Sequence, residues 1–515
     1  MHTCNFIERN AIRYPDDAAT EEAGVRQSWR AFRDRITTLA GGLANKGVQA
    51  GDRVAILAEN SVAYMEITYA TQWLGAVSVP INTRWTPDEV AFALQDSSAK
   101  WIFIDQLGAA CYAKMPAEVR HAVGPVAMDH TAQSVEGALT MDSLLSGDPV
   151  RALRHADDDV ASIFYTGGTT GRSKGVQLTH ANHVLHSLAF AAELSLTHRM
   201  RHLHVAPMFH IADALFFHVV TALGGVHHVI PRFEPSACAK AILDQDIDQT
   251  ILVPTMIGMM MNEEAGRAGL QKLRRLLYGA SPMPQALLDR VMKACPSLEL
   301  IQAYGQTESS PVLTLLSGDD HRNPTGDITR SAGRAMLGCE VAIFDANDQP
   351  LPPGAHGEIV ARGPQVTPGY LNRPDENRDT FRNGWLHTGD AGVMDERGYV
   401  YVTDRIKDMI VTGGENVYSA EVENALLKMP EVAQCAVIGV PDERWGERVH
   451  AVVVTAPGQQ LDEQRIDAHC RDLIAGYKCP KSIEFRDALP MSGAGKILKY
   501  ELRKPFWEGR QRRVS

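Results

Sequence analysis

The sequence predicts an α/β protein. A large N-terminal domain of β-sheets covered by helices is followed by a small α+β C-terminal domain. Three observations carry this expectation. Helical and strand patterns alternate over the first hundred residues, the alternation recurs over residues 201–300, and the pattern changes near residue 404. Strands alternating with helices point to a mostly parallel sheet whose crossovers are helical.

Residues 29–43 repeat apolar side chains at helical spacing, and 53–57 form a short apolar strand. Residues 64–74 read as a helix, and 77–81 as a strand that ends at Asn82-Thr83. Strands over 160–164 and 176–179 flank a glycine-rich loop. Residues 398–402 form a further strand, and Asp404-Arg405-Ile406-Lys407-Asp408 is polar and turn-prone. About 110 residues follow, enough for a small domain. Its strand candidates are 434–438 and 450–454, and its helix candidates are 420–428 and 463–475. No internal repeat or low-complexity tract interrupts the chain.

The 515 residues suffice for more than one core, and 44% hydrophobic with 22% charged residues is an ordinary globular balance. A net charge of -11 argues against a nucleic-acid partner, which requires basic surface, but leaves room for a local basic patch that meets a phosphorylated cofactor. The eight cysteines are scattered without a Cys-x-x-Cys pair, so free thiols in a reducing compartment are expected. The first nine residues contain no basic segment followed by an apolar core. No apolar run approaches the roughly 18 residues that cross a bilayer. A cytoplasmic location without a transmembrane segment is therefore expected.

The most informative segment is Tyr165-Thr166-Gly167-Gly168-Thr169-Thr170-Gly171-Arg172-Ser173-Lys174-Gly175. Glycines let successive backbone N–H groups turn toward one anion, hydroxyls add donors, and the lysine adds charge, so the loop suits a polyphosphate. It is neither a P-loop, since Ser173 precedes Lys174 and a strand follows, nor a Rossmann fingerprint. Read alone, a flexible glycine-rich hairpin is the competing reading.

The loop resembles the signature of the adenylate-forming superfamily, which comprises acyl-CoA synthetases, luciferases and peptide-synthetase adenylation domains. Gly167 stands for the usual serine and Ser173 for the usual proline, while the Thr-Thr-Gly and Lys-Gly pairs are retained. The resemblance spans residues 10–505 and includes further motifs in order. It implies mixed sheets in a 1–404 domain that binds AMP and the acyl group, a mobile 408–515 domain, and a hinge at Lys407. It also implies ATP, Mg²⁺ and coenzyme A as cofactors.

The resemblance places Thr166, Gly167, Gly168, Thr169, Thr170, Gly171 and Lys174 on the ATP phosphates. In Tyr304-Gly305-Gln306-Thr307-Glu308 it puts Tyr304 on adenine, Thr307 on phosphate and Glu308 on the metal. The residues alone would also read as a loop entering a helix at Thr-Glu. Asp390, in Thr388-Gly389-Asp390, becomes the acceptor for the ribose hydroxyls with help from Arg405; an ordinary turn aspartate is the competing reading. Gly279, Ala280, Ser281, Gln302 and Ala303 complete the nucleotide site.

Pro207-Met208-Phe209-His210 matches a motif whose histidine lies beside the acyl group, although a lone histidine near Phe216 and Phe217 also reads as core. Pro490 to Ile497 matches the C-terminal motif that carries Lys496 on glycines, and a lysine there can stabilise charge on the α-phosphate. Lys496, Glu308, Thr166, Lys174 and His210 are the expected catalytic set. The acyl pocket is expected at His210, Ala212, Gly279, Ala303, Gly305, Pro311 and Val312, small or apolar positions without a cation for a second carboxylate. Asp213 offers a group for a substrate hydroxyl, or faces away.

Coenzyme A is assigned to Gly413, Gly414, Glu415, Trp445, Tyr477, Lys478 and Lys481, with Cys479 where a basic residue is usual and Trp445 equally readable as interdomain packing. The implied reaction joins a small-molecule carboxylic acid, fatty or hydroxycinnamate-like, to CoA through an acyl-adenylate. An adenylating enzyme that loads a separate carrier protein, and a luciferase-like oxygenase, remain alternatives. A homodimer is an expectation that no particular residue carries.

Overall fold

The computed structural model describes residues 2–129, 132, 135–153, 156, 158–166, 173–413, 415–491 and 497–508. Two large sheets, of nine and eight strands, dominate the N-terminal part. Their interiors are parallel; both edges of the nine-stranded sheet and one edge of the eight-stranded sheet are antiparallel. This is the mixed α/β arrangement that the strand and helix alternation predicts. A third, five-stranded sheet is antiparallel and ends with Val400–Arg405 paired to Trp385–Met394.

Local chemistry sets the element ends. Ser28 accepts from Ala31 N and starts the helix Trp29–Asn45. The next helix runs Val62–Trp73, two residues earlier than its apolar spacing suggests, because Ser61 accepts from Tyr64 N. Nearly every side chain of that helix is buried, so it has no polar stripe to mark where it begins. It belongs to the core shared by both large sheets, together with Phe164 and Leu178 of one sheet and Val229 of the other.

After Arg405 the chain enters a fourth sheet. Ile410–Thr412, Glu415–Val417, Val432–Asp442, Gly446–Thr455 and Ser482–Phe485 form it, with helices Ser419–Leu426 and Glu463–Leu473. The two long strands extend well beyond the apolar stretches 434–438 and 450–454. Their tip is tightened where Asp442 accepts from Arg444 N and Trp445 N, both at 2.9 Å, and Gly446 takes a left-handed φ of 81°. Residues 443–445 form the turn, and the charged residues Asp442, Glu447 and Arg448 sit on the two strands that flank it. The helix Glu463–Leu473 ends before residue 475 because Ile474 turns extended and packs on the core of this domain. The buried clusters of this domain draw on residues 410–506 alone. Among the described residues, no helix is long and apolar enough to cross a membrane.

Candidate active site

The parallel strands Arg275–Gly279 and Glu299–Tyr304 run side by side and release their loops at the same sheet edge. In open α/β sheets that edge is where ligands bind. Gly279 pairs with Ala303 in register, and a Cβ on Gly279 would lie 2.2 Å from Ala303 O, so only glycine fits. Ala280 follows with a φ of 64° and is exposed, and Ser281 is half-buried. Gln302 accepts from Tyr278 Oη at 3.4 Å.

Gly305 turns the chain back on itself. Its φ is 157°, and a Cβ would meet Pro311 O at 2.1 Å. Leu313 N donates to Tyr304 O at 2.8 Å to close the loop. Thr307 opens a short 3₁₀ turn, Thr307–Ser309, in which Glu308 is buried.

Asp390 lies across a hairpin from Arg405, because Trp385–Met394 pairs with Val400–Arg405 in a register that faces the two residues. Tyr304 Oη donates to Asp390 Oδ2 at 2.7 Å, and Arg405 Nε contacts Oδ1 at 2.7 Å. Burial, and then Asp390 itself, pushes the Tyr304 phenol well above its usual range, so it remains a donor. The adenine and ribose assignments of the sequence therefore fall on one connected unit.

A second unit adjoins it. Tyr370 Oη donates to Glu308 Oε1 at 2.7 Å. Lys174 Nζ stands 4.9 Å from the centre of the Tyr370 ring and pairs with Glu376. Thr166 faces Lys174 where the two strands flanking the glycine-rich loop pair. The loop's two ends thus lie beside the carboxylate expected to hold a metal. Glu308 belongs to no group of three ligating side chains among the described residues. A single carboxylate suits Mg²⁺ when phosphates and waters supply its other ligands. Tyr370→Phe should weaken MgATP binding about fivefold without lowering protein yield, as read from the ATP dependence of initial rates.

His210 precedes the helix Ile211–Leu223, half-buried with its ring 4.5 Å from that of Phe209. Asn60 holds this loop by accepting from Met208 N at 2.8 Å and donating to Ala206 O at 2.9 Å. Ala212, Ala303 and Val312 share one apolar cluster with Phe216, Leu277 and Ile301, and Pro311 is half-buried next to Val312.

Trp445 is 48% exposed rather than packed between domains. Its ring lies against Gly413, where a Cβ would come within 2.8 Å, and Arg444 stacks 4.6 Å from its centre. Glu415 is exposed on the neighbouring strand. Lys478 is held by both oxygens of Glu421 at 2.7 Å, Lys481 donates to Gly476 O at 2.8 Å, and Tyr477 is exposed. The lysines are thus committed to local partners, whereas Gly413 and Trp445 form a surface. Near Lys407, Arg503 binds Asp408 Oδ1 at 2.6 Å and donates to Lys407 O at 3.0 Å. Gly167, Gly168, Thr169, Thr170, Gly171, Gly414 and Lys496 lie outside the described residues.

Sequence reasoning missed Tyr370, Glu376 and Asn60. Tyr370 lies on the two-residue strand Gly369–Tyr370, too short to show a period, and Asn60 on a bend between elements.

Comparison with known proteins agrees with this geometry. Residues 7–371 match the model of the AMP-binding enzyme family, and 421–496 match its C-terminal domain. A feruloyl-CoA synthase from an Amycolatopsis species is 38% identical over 97% of this chain and 98% of its own. The long-chain-fatty-acid–CoA ligase FadD13 of Mycobacterium tuberculosis is 36% identical over 94% of this chain and 93% of its own. The structure of O-succinylbenzoate coenzyme A synthetase from Bacillus subtilis, in complex with ATP and magnesium ion, superposes with a TM-score of 0.84 at 29% identity. It covers 97% of this chain and 99% of that one.

Proposed function

The chain belongs to the AMP-binding enzyme family, the adenylate-forming superfamily, and from that premise we propose how its residues join a carboxylic acid to coenzyme A. It is an acid–thiol ligase whose substrates are an apolar or aromatic acid, MgATP and CoA. The observation that carries the residue assignment is Asp390, buried between Tyr304 and Arg405 at the strand edge that also bears Glu308.

In the first step a carboxylate oxygen of the acid attacks the α-phosphorus, and the bond to the bridging oxygen breaks to release pyrophosphate. Asp390 accepts from the ribose hydroxyls, and Tyr304 lies against adenine. Glu308 holds Mg²⁺, and Lys174, Thr166 and the glycine-rich loop take the phosphates. Lys496 supplies positive charge where it develops on the α-phosphate. In the second step the CoA thiolate attacks the acyl carbon, and AMP leaves with its phosphate oxygen. Residues 408–515 rotate about Lys407 between the steps, so Lys496 withdraws and the Gly413–Gly414 segment lines the thiol's path beside His210. The cytoplasm, where free thiols persist, is the location this reading supports.

Trp445 serves as a stacking platform for the adenine of CoA. Trp445→Ala should raise the KM for CoA about tenfold and leave that for ATP within twofold. An unchanged CoA dependence would return the residue to a purely structural role. The assignment as a whole is tested by acid-dependent pyrophosphate–ATP exchange across fatty, benzoic and cinnamic acids. Exchange with one class supports it, and no exchange with any of them refutes it.

A further inference from the structure

The lysine that follows the glycine-rich loop already has a carboxylate partner, and the backbone around it fixes that partner in place. Gly369–Tyr370 pairs antiparallel with Lys174–Thr179, Tyr370 stands opposite Val176, and Leu371 N donates to Gly175 O at 2.8 Å. The short helix Pro374–Thr380 follows. Asn377 clamps that helix to the strand. Its Oδ1 accepts from Tyr370 N at 2.7 Å, and its Nδ2 donates to Tyr370 O at 3.0 Å. Glu376, the residue before the clamp, is thereby set beside Lys174.

Glu376 Oε2 pairs with Lys174 Nζ and is shielded from water, although both side chains are half-buried. Its Oε1 stands 3.9 Å from Arg373 Nε, and Arg373 Nη1 reaches Asp96 Oδ1 at 3.4 Å. Lys407 belongs to the same neighbourhood. Burial and then Lys174 hold its ammonium below the usual range, while Glu376 opposes them. Lys174, Arg373 and Lys407 thus all act on one carboxylate. The face of Tyr370 lies 4.9 Å from Lys174 Nζ, and its hydroxyl donates to Glu308, the expected metal carboxylate, at 2.7 Å. A carboxylate among converging cations matches, in charge and in acceptor oxygens, what a phosphate would bring there.

We propose that Glu376 is an internal counter-ion for Lys174, held where a phosphate of the leaving pyrophosphate must take the lysine over, so that it sets how tightly the site holds polyphosphate. This rests on the ligase reading above and on its placement of Lys174 on the phosphates. MgATP then replaces one ionic partner of Lys174 by another instead of meeting a bare charge, which lowers its affinity. Once adenylation has produced pyrophosphate, Glu376 competes for the same ammonium and repels the departing anion, which favours release. A carboxylate displaced by phosphate keeps Arg373 beside it, so the exchange leaves neither group without an opposite charge. Glu376 touches no reacting atom and acts only through Lys174, as a positioning residue.

The test is equilibrium binding of MgATP, magnesium pyrophosphate and AMP, by titration calorimetry, to the parent, Glu376→Gln, Lys174→Gln and the double variant. AMP lacks the phosphates that leave as pyrophosphate, and its stoichiometry counts the folded protein in each preparation. Glu376→Gln should bind MgATP and pyrophosphate about fivefold more tightly, and AMP within about twofold of the parent. A change that merely loosened the fold would weaken all three. In the Lys174→Gln background, Glu376→Gln should alter polyphosphate binding by less than about twofold, because the two residues act as a pair. Unchanged or weaker polyphosphate binding in Glu376→Gln overturns the proposal. So does a gain shared equally by AMP, or one that persists without Lys174. Parent-like MgATP binding by Lys174→Gln overturns the proposal together with the phosphate role of Lys174, while the ligase reading stands. No binding of MgATP by the parent overturns the ligase reading as well.

Discussion

Lys496→Ala lowers acyl-adenylate formation about a thousandfold and leaves thioester formation from supplied acyl-adenylate within about twofold of the parent. Attack on the α-phosphorus gathers negative charge on oxygens that a lysine can reach with three donors, and one well-placed donor in a site shielded from water is worth two to three orders of magnitude. Thiol attack on the adenylate gathers charge on the carbonyl oxygen instead, and AMP leaves as a stabilised phosphate. If the C-terminal domain rotates between the steps, the lysine has no part in the second. On either side of the segment that contains Lys496, Met491 is bridged to Ile497, and Ile497 packs on the domain core. Single-turnover assays of the two half-reactions measure this. Equal loss in both would mean that Lys496 acts without domain rotation.

Asp390→Ala lowers kcat/KM for ATP about a hundredfold in the adenylation step. Two effects add. The ribose loses its acceptor, and Tyr304 and Arg405 lose the carboxylate that each meets at 2.7 Å. Removing one partner of a fully buried ion pair costs about 3–5 kcal/mol. Arg405 is 44% exposed, so solvent screens part of that, and about 2–3 kcal/mol remains. Asp390→Asn keeps the shape and should fall between the two proteins. An ATP dependence equal to that of the parent in Asp390→Ala would make Asp390 a hairpin residue without a part in binding.

Most of the architecture was legible in the sequence because its elements announce themselves locally. The strand Arg53–Leu57 is a short apolar run, and Asp404 to Asp408 interrupts every pattern before it. What escaped was set by tertiary context. The helix Val62–Trp73 is buried almost all round, so its start came from Ser61 rather than from any stripe. The strands on either side of the turn at residues 443–445 run through charged residues, Asp442 on one and Glu447 and Arg448 on the other, because backbone pairing decides them rather than hydrophobicity.

The same division holds for the site. Tyr304, Glu308, Asp390 and Arg405 sit in compact motifs, and it is the resemblance to the adenylate-forming superfamily that names them. That Tyr304 and Arg405 both bind Asp390 required the register of a hairpin. Tyr370, 62 residues from Glu308, could not be placed beside it from composition or period. The sequence left Asp213 as either a hydroxyl ligand or a residue facing away. The structure turns one oxygen to His204 and leaves the other unpartnered in the apolar core.

The central claim is that one chain makes an acyl-adenylate and then passes the acyl group to CoA. The most direct measurement is AMP release from MgATP and a hydroxycinnamic acid in parallel reactions with and without CoA, with acyl-CoA quantified in each. The account predicts slow or single-turnover AMP release without CoA, and with CoA a marked acceleration that yields one acyl-CoA per AMP. Adenylate that accumulates equally in both reactions, with no thioester formed, would contradict it and point to a different acyl acceptor.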